Sequence, residues 1–180
     1  MTAKKNNRMV RWLAGFGRRH KRLGLFWVAA LIGLALPWFP SCESRDVRQC
    51  QVNSIYDGDT MRMTCSGKRV KVRLYCIDAP EMGQRPWGRE SRDYLRSITP
   101  KQVSIQVRTR DRYGRLVAVV SDSEGKRNLN IQMVQNGQAA VYRKYCHDRS
   151  YGQAEGMAKN AGLGIWSKPG KHQRPWSWRH

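Results

Sequence analysis

Acidic residues are scarce in this chain. Its 180 residues hold 13 Asp and Glu against 34 Lys and Arg, a formal net charge of +21. A field of that sign attracts polyanions, chiefly nucleic acid or anionic lipid headgroups. Zinc-type spacings are missing: no C-x-x-C and no H-x-x-x-H occurs, so the cysteines have little support as metal ligands. The four histidines, His20, His147, His172 and His180, are scattered and mostly terminal. That leaves little basis for a histidine-metal centre or an acyl-transfer triad. There is no internal repeat, and no low-complexity segment beyond a basic N-terminal tail.

The positive charge has two parts. Residues 1–24 carry eight Lys and Arg and no acid, whereas from Cys50 onward 24 Lys and Arg face 11 Asp and Glu. The region after Cys50 is therefore basic in its own right. Only one long apolar run is present. The 17 residues from Leu23 to Phe39 hold no charge and follow a segment ending Arg18-Arg19-His20-Lys21-Arg22. Basic then apolar is the order of a secretory signal or an inverted anchor. Basic flanks stay cytoplasmic, so everything after Phe39 is expected to be exported. No polar face interrupts the run, which argues against a buried core helix. Pro37 and Pro40 end it, but no clean small-x-small cleavage site follows. Pro40-Ser41-Cys42 weakly resembles a bacterial lipoprotein box. Cleavage, anchoring in a membrane through residues 23–39, and a lipid on Cys42 stand as open alternatives.

The cysteines fit export. There are five, Cys42, Cys50, Cys65, Cys76 and Cys146, an odd count that leaves one over. Cys50 and Cys65 lie symmetrically about Asp57-Gly58, a strong hairpin turn signal. A hairpin centred there sets them opposite each other, near disulfide distance. With Cys42 set apart at the membrane end, Cys76 and Cys146 form the second pair by elimination.

The chain divides into a basic tail (residues 1–22), the apolar segment (23–39), a linker (40–49), a domain (50–168) and a loop-like C-terminal tail (169–180). Within the domain, Gln51 to Tyr56 and Thr60 to Thr64 read as a hairpin. Arg69 to Ile77 alternates as a third strand, with Val70, Val72 and Leu74 on one face. Trp87 to Ile98 reads as a helix stopped by Pro100. Gln102 to Thr109 and Leu116 to Ser121 read as strands. Leu129 to Gln135 and Gln153 to Asn160 read as helices. Five strands with a helix between the third and fourth predict a mainly β fold with added helices (α+β): a small closed barrel.

Three motifs carry chemistry: Asp57-Gly58-Asp59-Thr60, Arg73 through Ile77-Asp78-Ala79-Pro80-Glu81, and Asp111-Arg112-Tyr113-Gly114-Arg115. Together they offer two carboxylates for a hard cation, a third for base chemistry, and two arginines for an anion. That inventory suits attack on a phosphodiester. Singly, each motif is compatible with a turn, a solvated loop or a basic surface.

In order and spacing these blocks resemble the staphylococcal nuclease (thermonuclease-like) family. Val72-Arg73-Leu74, Leu129-Asn130, Asn136-Gly137-Gln138-Ala139 and Gly164-Ile165-Trp166-Ser167 extend the resemblance from about Cys50 to Trp166. It implies an OB-type five-stranded β-barrel with about three helices. It further implies a calcium ion held by Asp59, Asp78 and the Ala79 carbonyl, oxygen ligands that suit a hard cation. Glu81 would orient or deprotonate the attacking water. Arg73 and Arg115 would grip the phosphate, and Arg112 and Tyr113 would contact substrate phosphate. The family pattern has threonine where this chain has Ala79; only a backbone carbonyl is required there. Tyr142, Arg143, Lys144 and Tyr145 mix aromatic and basic side chains as single-strand binding surfaces do, and are equally compatible with barrel packing.

One spacing resists a regular strand. Arg73 and Asp78 are an odd number of residues apart, so on an unbroken strand they face opposite ways. A bulge or sharp bend must separate them. The expected protein is an exported, calcium-dependent, monomeric nuclease acting on DNA, RNA or both and leaving 3′-phosphate ends. The rival is a non-catalytic OB-type nucleic-acid-binding module. A membrane-surface basic protein would account for residues 1–39 but not for the carboxylates.

Overall fold

A computed structural model describes residues 46–179. The expected basic tail, the apolar segment 23–39 and Cys42 lie outside the described residues. Strands β1 (Val47–Ile55), β2 (Thr60–Cys65), β3 (Lys68–Leu74), β5 (Gln102–Arg110) and β6 (Leu116–Asp122) close into a barrel in the order β1-β2-β3-β6-β5. A two-residue strand β4 (Ile77–Asp78) follows β3 and pairs with β7 (Ala140–Val141) outside the barrel. Helices α1 (Trp87–Ile98), α2 (Leu129–Gln135) and α3 (Arg149–Asn160) complete the α+β fold.

The barrel is built from alternation. Val72 and Leu74 on β3, Met61 and Met63 on β2, Val103 and Ile105 on β5, and Ala118 and Val120 on β6 all point inward and are buried. Leu95 of α1 and Leu129 and Met133 of α2 join the same core. Asn130 is buried among them and fully used. Its Oδ1 accepts from Val120 N–H at 3.0 Å, and its Nδ2 donates to the Tyr75 and Ala118 carbonyls at 3.0 and 3.1 Å. One side chain thus ties α2 to β6 and to the chain just beyond β3.

Both expected disulfides are formed, Cys50–Cys65 and Cys76–Cys146. Cys50 pairs directly with Cys65 in the β1–β2 ladder, with Cα atoms 4.4 Å apart. The register slips between Val52 and Ser54, so the hairpin tip moves to Gly58. The second bridge closes a separation of 70 residues, which in the chain-entropy account is worth about 4 kcal/mol. Replacing Cys76 and Cys146 by serine should lower the urea midpoint accordingly, and reduction should do the same to the wild type. A midpoint unmoved by either would remove this bridge from the fold's stability.

Besides the third strand, which ends at Leu74 and not at Ile77, three boundaries differ from the sequence reading. β1 starts at Val47, inside the expected linker, because Val47 to Gln51 pair with Gln102 to Gln106 of β5. α3 starts four residues early, at Arg149, because the Asp148 carboxylate caps it by accepting from Ser150 N–H at 2.9 Å. The C-terminal segment is not a free loop. It forms short 3-10 turns at Lys171–Gln173 and Pro175–Arg179. His172 stacks on Trp87 at 4.4 Å and Trp176 on Tyr142 at 5.7 Å.

Candidate active site

The bend required between Arg73 and Asp78 lies at Tyr75-Cys76. β3 stops at Leu74, and Cys76 takes φ +69°, the left-handed region that non-glycine residues seldom adopt. Tyr75 N–H still bonds to the Ala118 carbonyl of β6 at 2.8 Å, while Tyr142 N–H bonds to the Cys76 carbonyl at 2.8 Å. The chain leaves the barrel at this point for β4, and the Cys76–Cys146 bridge fastens the corner. The bend turns Asp78 back toward Arg73.

Arg73 then joins the two carboxylates. Its Nη1 donates to Asp59 Oδ1 at 2.8 Å and its Nη2 to Asp78 Oδ1 at 2.5 Å. The side chains are largely withdrawn from water: Arg73 is 12% exposed, Asp59 5% and Asp78 0%. Burial works against the guanidinium charge, but Asp59 and Asp78 more than offset it, and its pKa is raised above the ordinary arginine value. Asp59 is held on every side. Thr60 Oγ1 donates to its Oδ1 at 2.9 Å, Ala79 N–H to its Oδ2 at 3.1 Å, and its own N–H goes to Asp57 Oδ1 at 3.0 Å. Ala79 is thereby set against Asp59. Asp57 is pushed up to about 6 by burial, then by the charges of Asp59 and Glu81, although the N–H groups of Asp59 and Thr60 act the other way. Negative charge is thus concentrated here.

The tip of the β1–β2 hairpin meets α1 without spare room. A Cβ added at Gly58 would come 1.8 Å from Ser91 Oγ and 2.6 Å from Ala79 Cβ. Ser91 is itself fixed, donating to the Gln138 carbonyl at 2.6 Å. Gly58→Ala should therefore displace the Asp59 turn and lower cleavage about 100-fold, since small misplacements of a reacting site are that costly. Gly58→Ala with Ser91→Gly should recover part of the loss. Wild-type kinetics for Gly58→Ala would show the tight approach to be irrelevant.

Glu81 follows β4 on the loop to α1. Its N–H donates to Gln84 Oε1 at 2.8 Å, and its carbonyl accepts from Gln84 N–H at 2.8 Å. Gln84 is buried. A Cβ on Gly88 would lie 2.1 Å from the Glu81 carbonyl oxygen, so the start of α1 presses directly against this loop. Sequence reasoning missed Gln84, Ser91 and the electrostatic part of Asp57. The only signals for the first two were the glycines at 58 and 88.

Arg115, Arg112 and Tyr113 form a separate group on the β5–β6 turn. Asp111 organises it, accepting from Tyr113 N–H at 3.0 Å, Arg115 N–H at 2.9 Å and Arg115 Nε at 2.7 Å. Burial opposes the Asp111 charge, but the bonds from Arg115 hold its pKa below the usual carboxylate range. Arg112 bonds to the Tyr113 hydroxyl at 2.7 Å and lies over its ring, and Tyr113 is 67% exposed. No hydrogen bond among the described residues links this group to Asp59 or Asp78. The register does relate them. Arg73 pairs with Val117 across the parallel β3–β6 ladder, and Arg115 stands on the turn two residues before Val117.

The donor set fits a hard divalent cation. Asp59 and Asp78 bring two buried carboxylates to one guanidinium, and the Ala79 backbone lies against Asp59, an oxygen-only set. Among the described residues no three His, Cys, Asp or Glu side chains converge as a preformed metal cluster. A cation here would take its remaining ligands from water or substrate.

Comparison with known proteins agrees. The family model for staphylococcal nuclease homologues matches residues 71–168. An uncharacterized endonuclease of Haemophilus influenzae is 40% identical over 129 residues, covering 71% of this chain and 71% of the relative. A micrococcal nuclease of Shigella flexneri is 37% identical over 139 residues, covering 72% of this chain and 79% of the relative. An uncharacterized endonuclease of Escherichia coli O157:H7 is 38% identical over 131 residues, covering 72% of this chain and 84% of the relative. Barrel, bend, carboxylate pair and relatives lead to one conclusion: this chain belongs to the staphylococcal nuclease family.

Proposed function

We propose that this protein is an exported, calcium-dependent endonuclease hydrolysing phosphodiester bonds in DNA, RNA or both. The observation that carries the reading is the buried pair Asp59 and Asp78 gathered on Arg73. A module that only binds nucleic acid has no need to bury two carboxylates beside its ligand. Bacterial relatives named endonuclease and micrococcal nuclease support the same activity.

Asp59, Asp78 and the Ala79 carbonyl would hold calcium. Bound there, the ion would supply positive charge that polarises a phosphoryl oxygen. Glu81 takes the proton from the water that attacks phosphorus. Arg73 and Arg115 bear on the phosphate oxygens and favour the charge they gain during the attack. Arg112 and Tyr113 meet the adjoining phosphate. As the water oxygen bonds to phosphorus the P–O5′ bond breaks, the departing 5′ oxygen takes a proton from solvent, and the phosphate stays on the 3′ end. The basic surface concentrates the polyanionic substrate. The two disulfides support an oxidising compartment outside the cytoplasm, with residues 23–39 as signal or anchor. The mass of the mature N-terminus separates cleavage, anchoring and a lipid on Cys42.

Single-stranded DNA offered with calcium or with chelator tests the activity. Cleavage in calcium alone is expected. Binding without cleavage in calcium would favour the non-catalytic module.

A further inference from the structure

Apart from the carboxylate site lies an open groove to which hydrolysis assigns no part. The end of β7, helix α3 and the C-terminal segment enclose about 1160 Å³. Five cations, Arg143, Lys144, Lys159, Lys171 and Arg174, line it against one carboxylate, Glu155. That carboxylate is committed inward. It is buried, and it accepts from Val141 N–H at 2.8 Å, Arg143 at 2.8 Å and Lys159 at 2.9 Å. Lys144, Lys171 and Arg174 form no ion pair with any described carboxylate. Three aromatic rings, Tyr142, Trp166 and Trp176, line it together with the cations. Trp176 and Tyr142 stack with planes 5° apart, and Lys159 Nζ lies 4.4 Å from the centre of the Trp166 ring.

The groove and the carboxylate pair are joined through the β4–β7 ladder. Ala140 and Val141 of β7 pair with Asp78 and Ile77 of β4, and the next residue, Tyr142, bonds back to the Cys76 carbonyl. Tyr142, two residues beyond the partner of Asp78 in that ladder, carries the stacked Trp176.

We propose that this groove binds a single-stranded polynucleotide and holds the stretch of substrate beyond the scissile phosphate. That this strand is substrate rests on the nuclease reading; the affinity of the groove for a single strand does not. Cations tracking a backbone, interleaved with rings that can stack on bases, are what such a ligand needs. A duplex keeps its base faces stacked internally and offers none to Trp176. An anionic membrane is flat and would use the cations without the groove or the rings.

The test is binding of the full chain, in chelator, to a fluorescent oligothymidylate of about 12 nucleotides, within the length that single-strand sites span. Lys171→Gln with Arg174→Gln should weaken binding and reduce the log–log salt slope by about 1.4, the release expected for two lost phosphate contacts on a single strand. Trp176→Ala should weaken binding about 10-fold, the loss of one stacked base, and Trp176→Phe should restore most of it. Unchanged oligonucleotide affinity in all these variants would overturn the proposal. So would tighter binding to a duplex of equal length, or binding to anionic phospholipid vesicles with none to the oligonucleotide. The two readings fail separately. A wild type that binds the strand but never cleaves it in calcium removes the nuclease and leaves the groove. A wild type that cleaves, with variants that bind as it does, removes the groove and leaves the nuclease.

Discussion

Replacing Arg73 by alanine should lower kcat/KM by about 1000-fold and, in metal-free protein, lower the melting temperature on the order of 10 °C. Both effects come from one guanidinium. Asp59 and Asp78 are nearly withdrawn from water and share Arg73 at 2.8 and 2.5 Å. Removing one partner of a buried ion pair costs about 3–5 kcal/mol, because the remaining charge keeps its desolvation penalty and loses its attraction. Calcium should recover much of the lost stability, since it brings positive charge to the same two oxygens, but little of the activity. Arg73→Lys should keep most of the stability. It should still lose activity, because a lysine cannot present a planar fork to phosphate. Thermal melts with calcium or with chelator, alongside initial rates, check both halves. An Arg73→Ala protein with wild-type melting and wild-type rates would dismantle the site.

Glu81→Gln should cost about 1000-fold in kcat while leaving calcium affinity and melting temperature near wild type. The substitution keeps the size of the side chain. It also keeps the backbone bonds to Gln84 that set the loop, because those use only the Glu81 N–H and carbonyl. What it removes is a carboxylate able to take a proton. A matching loss of calcium affinity would recast Glu81 as a metal ligand. Unchanged kcat would deny it any part in the chemistry.

These two residues also show where the sequence could be read and where it could not. Inward positions such as Val72 and Leu74 alternate, so β3 and its face were legible, as was α1 from its spacing and Pro100. The Cys50–Cys65 bridge followed from hairpin symmetry even though the bulge near Asn53 shifts the tip. The bend at Cys76 was legible only as a contradiction: Arg73 and Asp78 had to share a site, and alternation forbade it. Its cause is non-local, a left-handed residue fixed by a bridge to Cys146 and by a bond from Tyr142. The early start of α3 depends on one capping carboxylate, Asp148, in a stretch with weak periodicity. Gln84 and Ser91 left no pattern, since each acts through a contact with a distant segment. The C-terminal segment reads as loop because its 3-10 turns are short and it is docked by ring stacking on Tyr142 and Trp87.

Calcium titrated against heat release and against cleavage rate, in one buffer, on wild type and on Asp78→Asn, tests the central claim most directly. Asp78 is fully buried and accepts from Arg73, so it has no role in gathering substrate at the surface. The account predicts that the wild-type binding and rate curves saturate at the same calcium concentration and that both vanish in Asp78→Asn while the protein stays folded. Curves that saturate at different concentrations, or a folded Asp78→Asn protein that still binds calcium and cleaves, would contradict it.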